Sequence, residues 1–96
     1  MTEVRAEIAK ELCKRYWEIE EEKMRQFISE RQYFERILDR AKEGGVEVSV
    51  DFPRIWADMA IGYFMDLGYR ILEENYYKEK DGSEWCQFYV NWEERV

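Results

Sequence analysis

Hydrophobic residues recur at spacings of three and four over the first 43 residues, which is the period of one helix face. Between Thr2 and Glu43 there is neither Gly nor Pro, and most residues are good helix formers. We favour one continuous or merely kinked helix about 60 Å long. The alternative is a break near Ser29, which would form a capping box with Gln32. The apolar stripe comprises Val4, Ile8, Leu12, Tyr16, Ile19, Met24, Phe27, Phe34, Leu38 and Ala41.

A strand and a second helical segment follow. The glycine pair at 44–45 ends the first segment, because glycine tolerates left-handed backbone angles. The alternation after it predicts a half-buried strand with Val46, Val48 and Val50 on one side. We expect Asp51 to cap the next helix, with Pro53 in its first turn and a stop at Leu67 and Gly68. The broad apolar face of that helix comprises Ile55, Trp56, Met59, Ala60, Tyr63, Phe64 and Leu67.

Two further strands, Tyr69–Lys78 and Glu84–Trp92, are predicted to form an antiparallel hairpin through Asp81 and Gly82, a dipeptide favoured in tight turns. Aromatic residues lie on both faces of the last strand: one face carries Cys86, Phe88, Val90 and Trp92, and the other carries Trp85, Gln87, Tyr89 and Asn91. One helix covers only one side of a three-stranded sheet. We therefore expect the N-terminal segment or another subunit to cover the second face.

The predicted fold class is α+β, with a long N-terminal helix, or two helices, followed by a compact β-α-β-β unit that has a three-stranded sheet. We divide the chain into a helical arm at 1–43 and a βαββ unit at 44–96. Together they form one domain, because 96 residues support a single core. A core of this size leaves little net stability, so we expect a homo-oligomer.

The charge balance restricts the choice of partner. Fifteen Lys and Arg residues oppose 22 Asp and Glu residues, which gives a net charge of -7 at pH 7. This acidity disfavours duplex nucleic acid and anionic membranes, and it favours a protein with a basic surface. No apolar run approaches the roughly 18 residues of a membrane helix, and no presequence is recognisable. We therefore expect a cytoplasmic protein that is not bound to a membrane.

The chain contains no histidine, the commonest acid/base and metal ligand, which argues against an enzyme and against a metal or other cofactor. The acidic runs at 20–22 and 73–74 lack the loop spacing of a cation site, so we interpret them as solvated faces. Cys13 and Cys86 have no zinc-type spacing and are interpreted as small buried residues. The sequence contains neither a histidine nor a Gly-x-Ser-x-Gly turn to activate a serine nucleophile, which argues against a catalytic role for Ser29, Ser49 and Ser83.

Aromatic and basic residues near the hairpin are the first candidate binding set. Aromatic rings can stack on nucleobases while guanidinium and ammonium groups meet phosphates. The alternative, which we favour, is that the rings form a sheet core or a dimer interface and that the basic residues balance neighbouring Glu. The candidates for a ligand or partner are Tyr76, Tyr77, Trp85, Tyr89, Arg54, Arg70 and Lys78.

The helical arm is the second candidate set. Its aromatic residues alternate with charged ones, a pattern that suits self-association or a groove on another protein as well as it suits packing on the chain's own sheet. The candidate residues for an oligomer interface are Tyr16, Trp17, Phe27 and Phe34.

Several short motifs together resemble a group of small phage and prophage proteins of Gram-positive and related bacteria. They are a charged N-terminal helix, Ala-Lys-Glu-Gly-Gly at 41–45, a Val-rich strand, Leu-Gly-Tyr-Arg at 67–70 and a hairpin closing on Tyr-Val-Asn-Trp at 89–92. These motifs specify helix ends and turns. The resemblance therefore implies an architecture and a genomic origin, and it transfers no catalytic residue.

The resemblance and the composition together lead to two functional hypotheses. The first is a non-catalytic, oligomeric, phage-encoded binding protein that inhibits bacterial defence in the host cell. It would bind a host protein with a basic surface or sequester a small nucleotide signal. The second is a structural, assembly or replication accessory protein of the phage that oligomerises through its helical arm.

Overall fold

The structure, a computed structural model, describes residues 3–94; the outermost positions of the two predicted segments, 1–2 and 95–96, lie outside it. The strands form one antiparallel sheet in the order β1-β3-β2, with β3 in the centre. The α+β class and the predicted order of elements are confirmed. The elements are α1 (Ala6–Glu30), α2 (Tyr33–Lys42), β1 (Glu47–Pro53), α3 (Arg54–Asp66), β2 (Arg70–Lys78) and β3 (Glu84–Asn91).

The N-terminal segment is two helices, so the continuous helix that we favoured is wrong. The chain turns at Arg31 and Gln32, and Gln32 has a left-handed backbone with φ 56°. The break lies beyond Ser29, and no side-chain capping bond forms at Gln32. The turn returns the chain to the body of the protein, where Tyr33 and Ile37 are buried in the same core as α1. Tertiary packing therefore sets the break.

The two predicted glycine stops are confirmed. Gly44 and Gly68 have φ of +85° and +100°. After α2, Gly44 N–H donates to Ala41 at 3.0 Å and Gly45 N–H to Arg40 at 2.9 Å. The same pair of bonds ends α3, from Gly68 to Met65 at 2.9 Å and from Tyr69 to Phe64 at 3.1 Å. Each end therefore has the Schellman pattern, which satisfies two otherwise free carbonyl groups.

The core lies between the sheet and the helices. Alternate residues of β1, namely Val48, Val50 and Phe52, are buried opposite Val90, Phe88 and Cys86 of β3. Phe64 of α3 packs on Phe88 with ring centres 6.4 Å apart, and Phe52 stacks on Phe88 at 5.7 Å. Burial of these apolar side chains is the main stabilising contribution. The other fully buried large side chains are Tyr33, Met24 and Ile28.

Asp51 does not cap α3, contrary to the prediction. Strand β1 continues to Pro53, which occupies the N-cap position of α3 itself without a side-chain capping bond. The Asp51 carboxylate instead accepts a 3.0 Å hydrogen bond from the Tyr77 hydroxyl. Asp51 therefore ties the two outer strands together across β3.

Helix α2 covers the outer edge of β1. The Tyr33 hydroxyl donates to the Asp51 carbonyl at 2.6 Å and accepts from the Asp51 N–H at 3.1 Å. Beside it, the Arg36 guanidinium donates to the Ser49 carbonyl at 3.2 Å. These bonds use backbone groups of an edge strand that would otherwise face water. At the other edge, β2 has a bulge between Leu72 and Asn75, where Glu73 has φ 56°.

The sheet face opposite α3 is held by polar side chains of neighbouring strands. Gln87 donates to the Ser49 hydroxyl at 2.7 Å, and Arg70 donates to the side-chain amide oxygen of Asn91 at 2.9 Å. Helix α1 packs on α2 and α3 instead of covering this face, and only its Phe27 ring reaches Trp85 at the border. Of the two alternatives, cover by α1 is therefore wrong, and α2 reaches the sheet only along β1. Cover by another subunit stays a prediction.

The first part of α1 projects from the body of the protein. Residues 3–19 are all exposed, and the first buried residue of the helix is Glu20. The described chain measures 61 × 35 × 24 Å. No helix within residues 3–94 has the length and apolar character that crossing a membrane requires.

Candidate functional site

Five of the seven predicted binding residues border one shallow cavity of about 290 Å³ beside the turn that joins β2 to β3. The elements that bring them together are the start of α3 and the paired ends of β2 and β3. Tyr77 lies opposite Trp85 in the sheet, and Lys78 lies opposite Glu84. The cavity is lined by Arg54, Tyr76, Tyr77, Lys78 and Trp85 together with Glu84.

The basic residues of this hairpin cavity are already paired. Glu84 lies 2.9 Å from the Arg54 guanidinium and 4.0 Å from the Lys78 ammonium group. The Arg54 guanidinium also lies 5.4 Å from the centre of the Tyr76 ring. A phosphate would therefore compete with an internal carboxylate for both cations. This agrees with the interpretation that the basic residues balance neighbouring Glu.

The aromatic residues of the cavity also have internal partners. Burial, followed by the hydrogen bond to Asp51, raises the pKa of Tyr77 to about 12. The Trp85 indole donates to the Ser83 hydroxyl at 3.0 Å, and the Arg31 guanidinium lies 5.4 Å from its ring centre. Arg31 is a contact that sequence analysis missed, because it follows from the turn between α1 and α2.

The other two residues of the first set lie away from the hairpin cavity. Tyr89 lies opposite Ser49 and Leu72 on the sheet face that α3 does not cover. Arg70 lies at the far end of β2 and donates to Asn91. The structure therefore divides the predicted set between two places.

The predicted interface residues of the arm also separate into two pairs. Tyr16 and Trp17 are exposed and contact each other edge to face, with ring centres 5.1 Å apart. Phe27 packs at 5.5 Å from the Phe52 ring, and Phe34 packs at 5.9 Å from Phe64. The second pair therefore packs against the chain's own core, which was one of the alternatives left open by the sequence.

A larger cavity, the α1–α3 groove, lies between the first and third helices and has a volume of about 490 Å³. Its floor contains the aromatic and apolar groups of Trp17, Met59 and Tyr63, with Gly62 leaving open space between them. Four carboxylates and a single ammonium group surround that floor: Glu18, Glu21, Asp58, Asp66 and Lys14.

The α1–α3 groove provides a chemical environment for a cation. The Arg25 guanidinium of the chain itself lies 5.7 Å from the centre of the Tyr63 ring and 3.1 Å from a Glu21 carboxylate oxygen. A ring face and a carboxylate each stabilise a guanidinium or ammonium group. The observed Arg25 position shows that this combination accommodates a cation at the rim of the groove.

Sequence analysis missed the groove, although part of its pattern is visible along the chain. Asp58, Gly62 and Asp66 recur at a spacing of four, as do Met59 and Tyr63, so each set lies on one side of α3. The contribution of α1 cannot be recognised without the packing of one helix on the other. A buried contact between Glu20 and Trp56 fixes that packing.

The Glu20 contact lies where α1 first enters the body of the protein. The Trp56 indole N–H donates to one Glu20 carboxylate oxygen at 2.7 Å, and Lys23 lies 3.4 Å from the other oxygen. The Trp56 bond, followed by the Lys23 charge, holds the pKa of Glu20 below its ordinary value against the opposing effect of burial. Glu20 was interpreted as part of a solvated acidic face, and this is wrong because Glu20 is buried.

The two cysteines differ in environment. Both thiols are free; Cys13 is exposed on α1 and Cys86 is buried under α3. The interpretation of Cys13 as a small buried residue is therefore wrong, since it lies in the projecting part of the helix. Burial raises the pKa of Cys86. Within residues 3–94, no three side chains of metal-ligand type come together as a cation site.

Comparison of the chain with family models, with curated proteins and with solved structures finds no significant match. The resemblance to small phage proteins therefore stays a prediction from sequence motifs.

Proposed function

We propose that this protein is a non-catalytic binding protein that holds a basic segment of another protein in its α1–α3 groove. The observation that supports this proposal is the combination of the Trp17 and Tyr63 rings with four carboxylates around one open groove; Glu21 is paired with Arg25, and Glu18, Asp58 and Asp66 have no ion pair among the described residues. The Arg25 guanidinium, placed between the Tyr63 ring and Glu21, is an internal example of the contact that an incoming Arg or Lys side chain would make.

The charge of the whole molecule favours the same partner. A net charge of -7 attracts a basic surface at long range and speeds its approach, an effect that salt weakens. Carboxylates at the groove then pair with individual Arg or Lys side chains, and the apolar floor contacts the aliphatic parts of those side chains. Binding is therefore expected to be strongly dependent on salt.

The resemblance to phage proteins supplies the proposed biological setting. In that setting the partner is a host protein with a basic surface, such as a nucleic-acid-binding component of bacterial defence, and occupation of its basic surface inhibits it. The site of action is then the cytoplasm of the host cell. The sequence motifs support this part of the proposal, and the groove supports its chemical part.

The proposal is tested by titrating the protein with an Arg-rich peptide and, separately, with a peptide of the same length in which every Arg is Gln. Calorimetry at low and high salt should show binding of the Arg peptide alone, weakened by salt. The double variant D58N/D66N should weaken that binding at least tenfold, because it removes two carboxylates of the groove. The matched control E35Q/D39N removes two exposed carboxylates of α2 and should leave the binding unchanged.

The same titration includes a steric test that leaves the net charge intact. Gly62 has open space above it, so G62A should be tolerated, whereas the longer side chain of G62Q should occupy the groove and weaken peptide binding. Equal affinity of the wild type, D58N/D66N and G62Q for the Arg peptide would reject the groove as the binding site.

The hairpin cavity supports a second candidate function, which is the binding of a small nucleotide. The supporting observation is that Tyr76, Trp85 and Arg54 border one cavity. The opposing observation is that the Glu84 carboxylate already pairs with the Arg54 guanidinium and the Lys78 ammonium group. Thermal melting with a panel of linear and cyclic nucleotides tests this function, because a ligand that binds only the folded state raises the Tm. A rise that E84Q enlarges and R54Q abolishes would favour this alternative.

A further inference from the structure

The projecting residues 3–19 carry a second surface, the arm stripe, which consists of Val4 just before α1 and of Ile8, Leu12, Tyr16 and Ile19 on α1. These side chains are between 46% and 66% exposed. Spacings of four, four and three place Ile8, Leu12, Tyr16 and Ile19 along one side of α1 over about 17 Å. A contiguous exposed apolar surface of this kind is typical of an interaction site.

The arm stripe and the α1–α3 groove lie on opposite sides of α1. Glu21 comes nine positions after Leu12, and Trp17 comes nine positions after Ile8. In a helix with 3.6 residues per turn, two side chains nine positions apart point in directions that differ by about 180°. A molecule that occupied the arm stripe would therefore leave the groove open. The two surfaces can serve different partners at the same time.

The charge of the arm indicates which partner suits the stripe. Residues 3–19 carry four Glu and four Arg or Lys residues, so the net charge of -7 resides entirely in the rest of the chain. A neutral helix of mixed charge is complementary to another helix of the same composition. A basic or an acidic partner would meet like charges on this surface as often as opposite ones.

We propose that the arm stripe pairs with the arm stripe of a second copy of this chain, in an antiparallel two-fold arrangement. The direction follows from the position of the acidic body, which lies at the C-terminal end of each arm. Parallel arms would place two bodies of net charge -7 side by side, whereas antiparallel arms place them at opposite ends. A two-fold contact also uses the same surface on both copies.

The antiparallel arrangement fixes which residues meet. Leu12 lies near the two-fold axis and faces its own copy. On either side of it, Ile8 of one copy lies opposite Tyr16 of the other. Each copy directs its α1–α3 groove away from the paired arms, so the dimer presents two grooves.

Analytical ultracentrifugation of the full chain, from micromolar to millimolar concentration, tests the proposal. We expect a reversible dimer of twice the chain mass of 11.9 kDa. L12E should weaken dimerisation at least tenfold while circular dichroism and thermal unfolding stay at the wild-type values. The matched control is L38E, because Leu38 is a similarly exposed hydrophobic residue, 59% exposed, on α2.

Disulfide trapping tests the direction of pairing. In a C13S background, I8C and Y16C chains are oxidised separately and as a mixture. Antiparallel arms should cross-link the mixed pair much faster than either variant alone, whereas parallel arms would cross-link each variant with itself. A monomer at every concentration, a dimer that L12E leaves intact, or preferential cross-linking of identical variants would overturn the proposal.

Discussion

The indole N–H of Trp56 on α3 donates a 2.7 Å hydrogen bond to the buried carboxylate of Glu20 on α1. This bond joins residues 36 positions apart, at the point where α1 changes from a projecting helix to a packed one. The Phe27 ring supports it from about two turns further along the helix, with its centre 5.5 Å from that of Trp56. The spacing between the two helices, and with it the width of the α1–α3 groove, depends on this contact.

We predict that the Glu20 contact makes stability depend on acid pH. The pKa of Glu20 lies below its ordinary value of 4.5 in the folded protein. The carboxylate therefore stabilises the fold above that value, and this contribution disappears as the pH falls through the folded-state pKa. W56F should lower the Tm at neutral pH, and the difference from the wild type should shrink below about pH 4.

The measurement is a series of thermal unfolding curves for the wild type and W56F across this pH range. E22Q is the control, because Glu22 is exposed on the same helix and has no such bond among the hydrogen bonds of the described residues. A W56F deficit that stays constant from neutral to acid pH would show that Trp56 acts only through its packing.

We predict that Y33F destabilises the protein by about 1–3 kcal/mol, since the substitution leaves the partly buried N–H and carbonyl of Asp51 without their hydroxyl partner. Y16F, at an exposed tyrosine of α1, should change stability by less than about 0.5 kcal/mol. Urea unfolding monitored by circular dichroism measures both values. Equal effects of the two substitutions would contradict the role assigned to the Tyr33 hydroxyl.

We predict opposite effects of alanine at two glycines near or within α3. G68A should destabilise the protein by about 1–2 kcal/mol, because Gly68 has φ +100° and a side chain strains this conformation. G62A should stabilise it by about 0.5–1 kcal/mol, because Gly62 lies inside the helix with open space around it. The difference in unfolding free energy is measured in urea, and effects of the same sign would contradict the prediction.

We predict that the two cysteines react at very different rates with an aromatic disulfide reagent. Cys13 is exposed and should react at once in the native protein. Cys86 is buried with a raised pKa, so it should react only as fast as the core opens. C13S should remove the fast phase, and denaturant should make the remaining thiol reactive. Rapid labelling of both thiols in the native wild-type protein would contradict the buried position of Cys86.

The elements that sequence analysis predicted well are those encoded by neighbouring residues. Gly44 and Gly68 end helices wherever the chain needs a left-handed angle, and the alternation at Val48 and Val50 specifies a strand in any half-buried sheet. The break at Gln32 has only a weak local signal, because the Ser29 and Gln32 pair that indicated a break near Ser29 provides no capping bond at Gln32. It depends on Tyr33, whose hydroxyl binds a strand 18 residues away, so only the packed structure explains it.

In the candidate sites too, features encoded by neighbouring residues were predicted, and contacts between distant residues were not. The sequence predicted that aromatic and basic residues would gather near the hairpin, and Tyr76, Trp85 and Arg54 do border one cavity. The pairing of Glu84 with Arg54 could not be predicted, because the two lie 30 positions apart. The groove was missed for a related reason, since its two walls come from α1 and α3, which are separated along the chain by α2 and β1.

The structure of the two edges of the sheet affects whether strands of other molecules can add to it. On one side, Tyr33 and Arg36 occupy the backbone groups of β1, and on the other, Glu73 at φ 56° interrupts the regular edge of β2. A strand from a neighbouring molecule therefore finds no straight, unoccupied row of amide groups to extend. Fibril formation by strand addition is disfavoured on both sides, and contacts between copies are left to the helices.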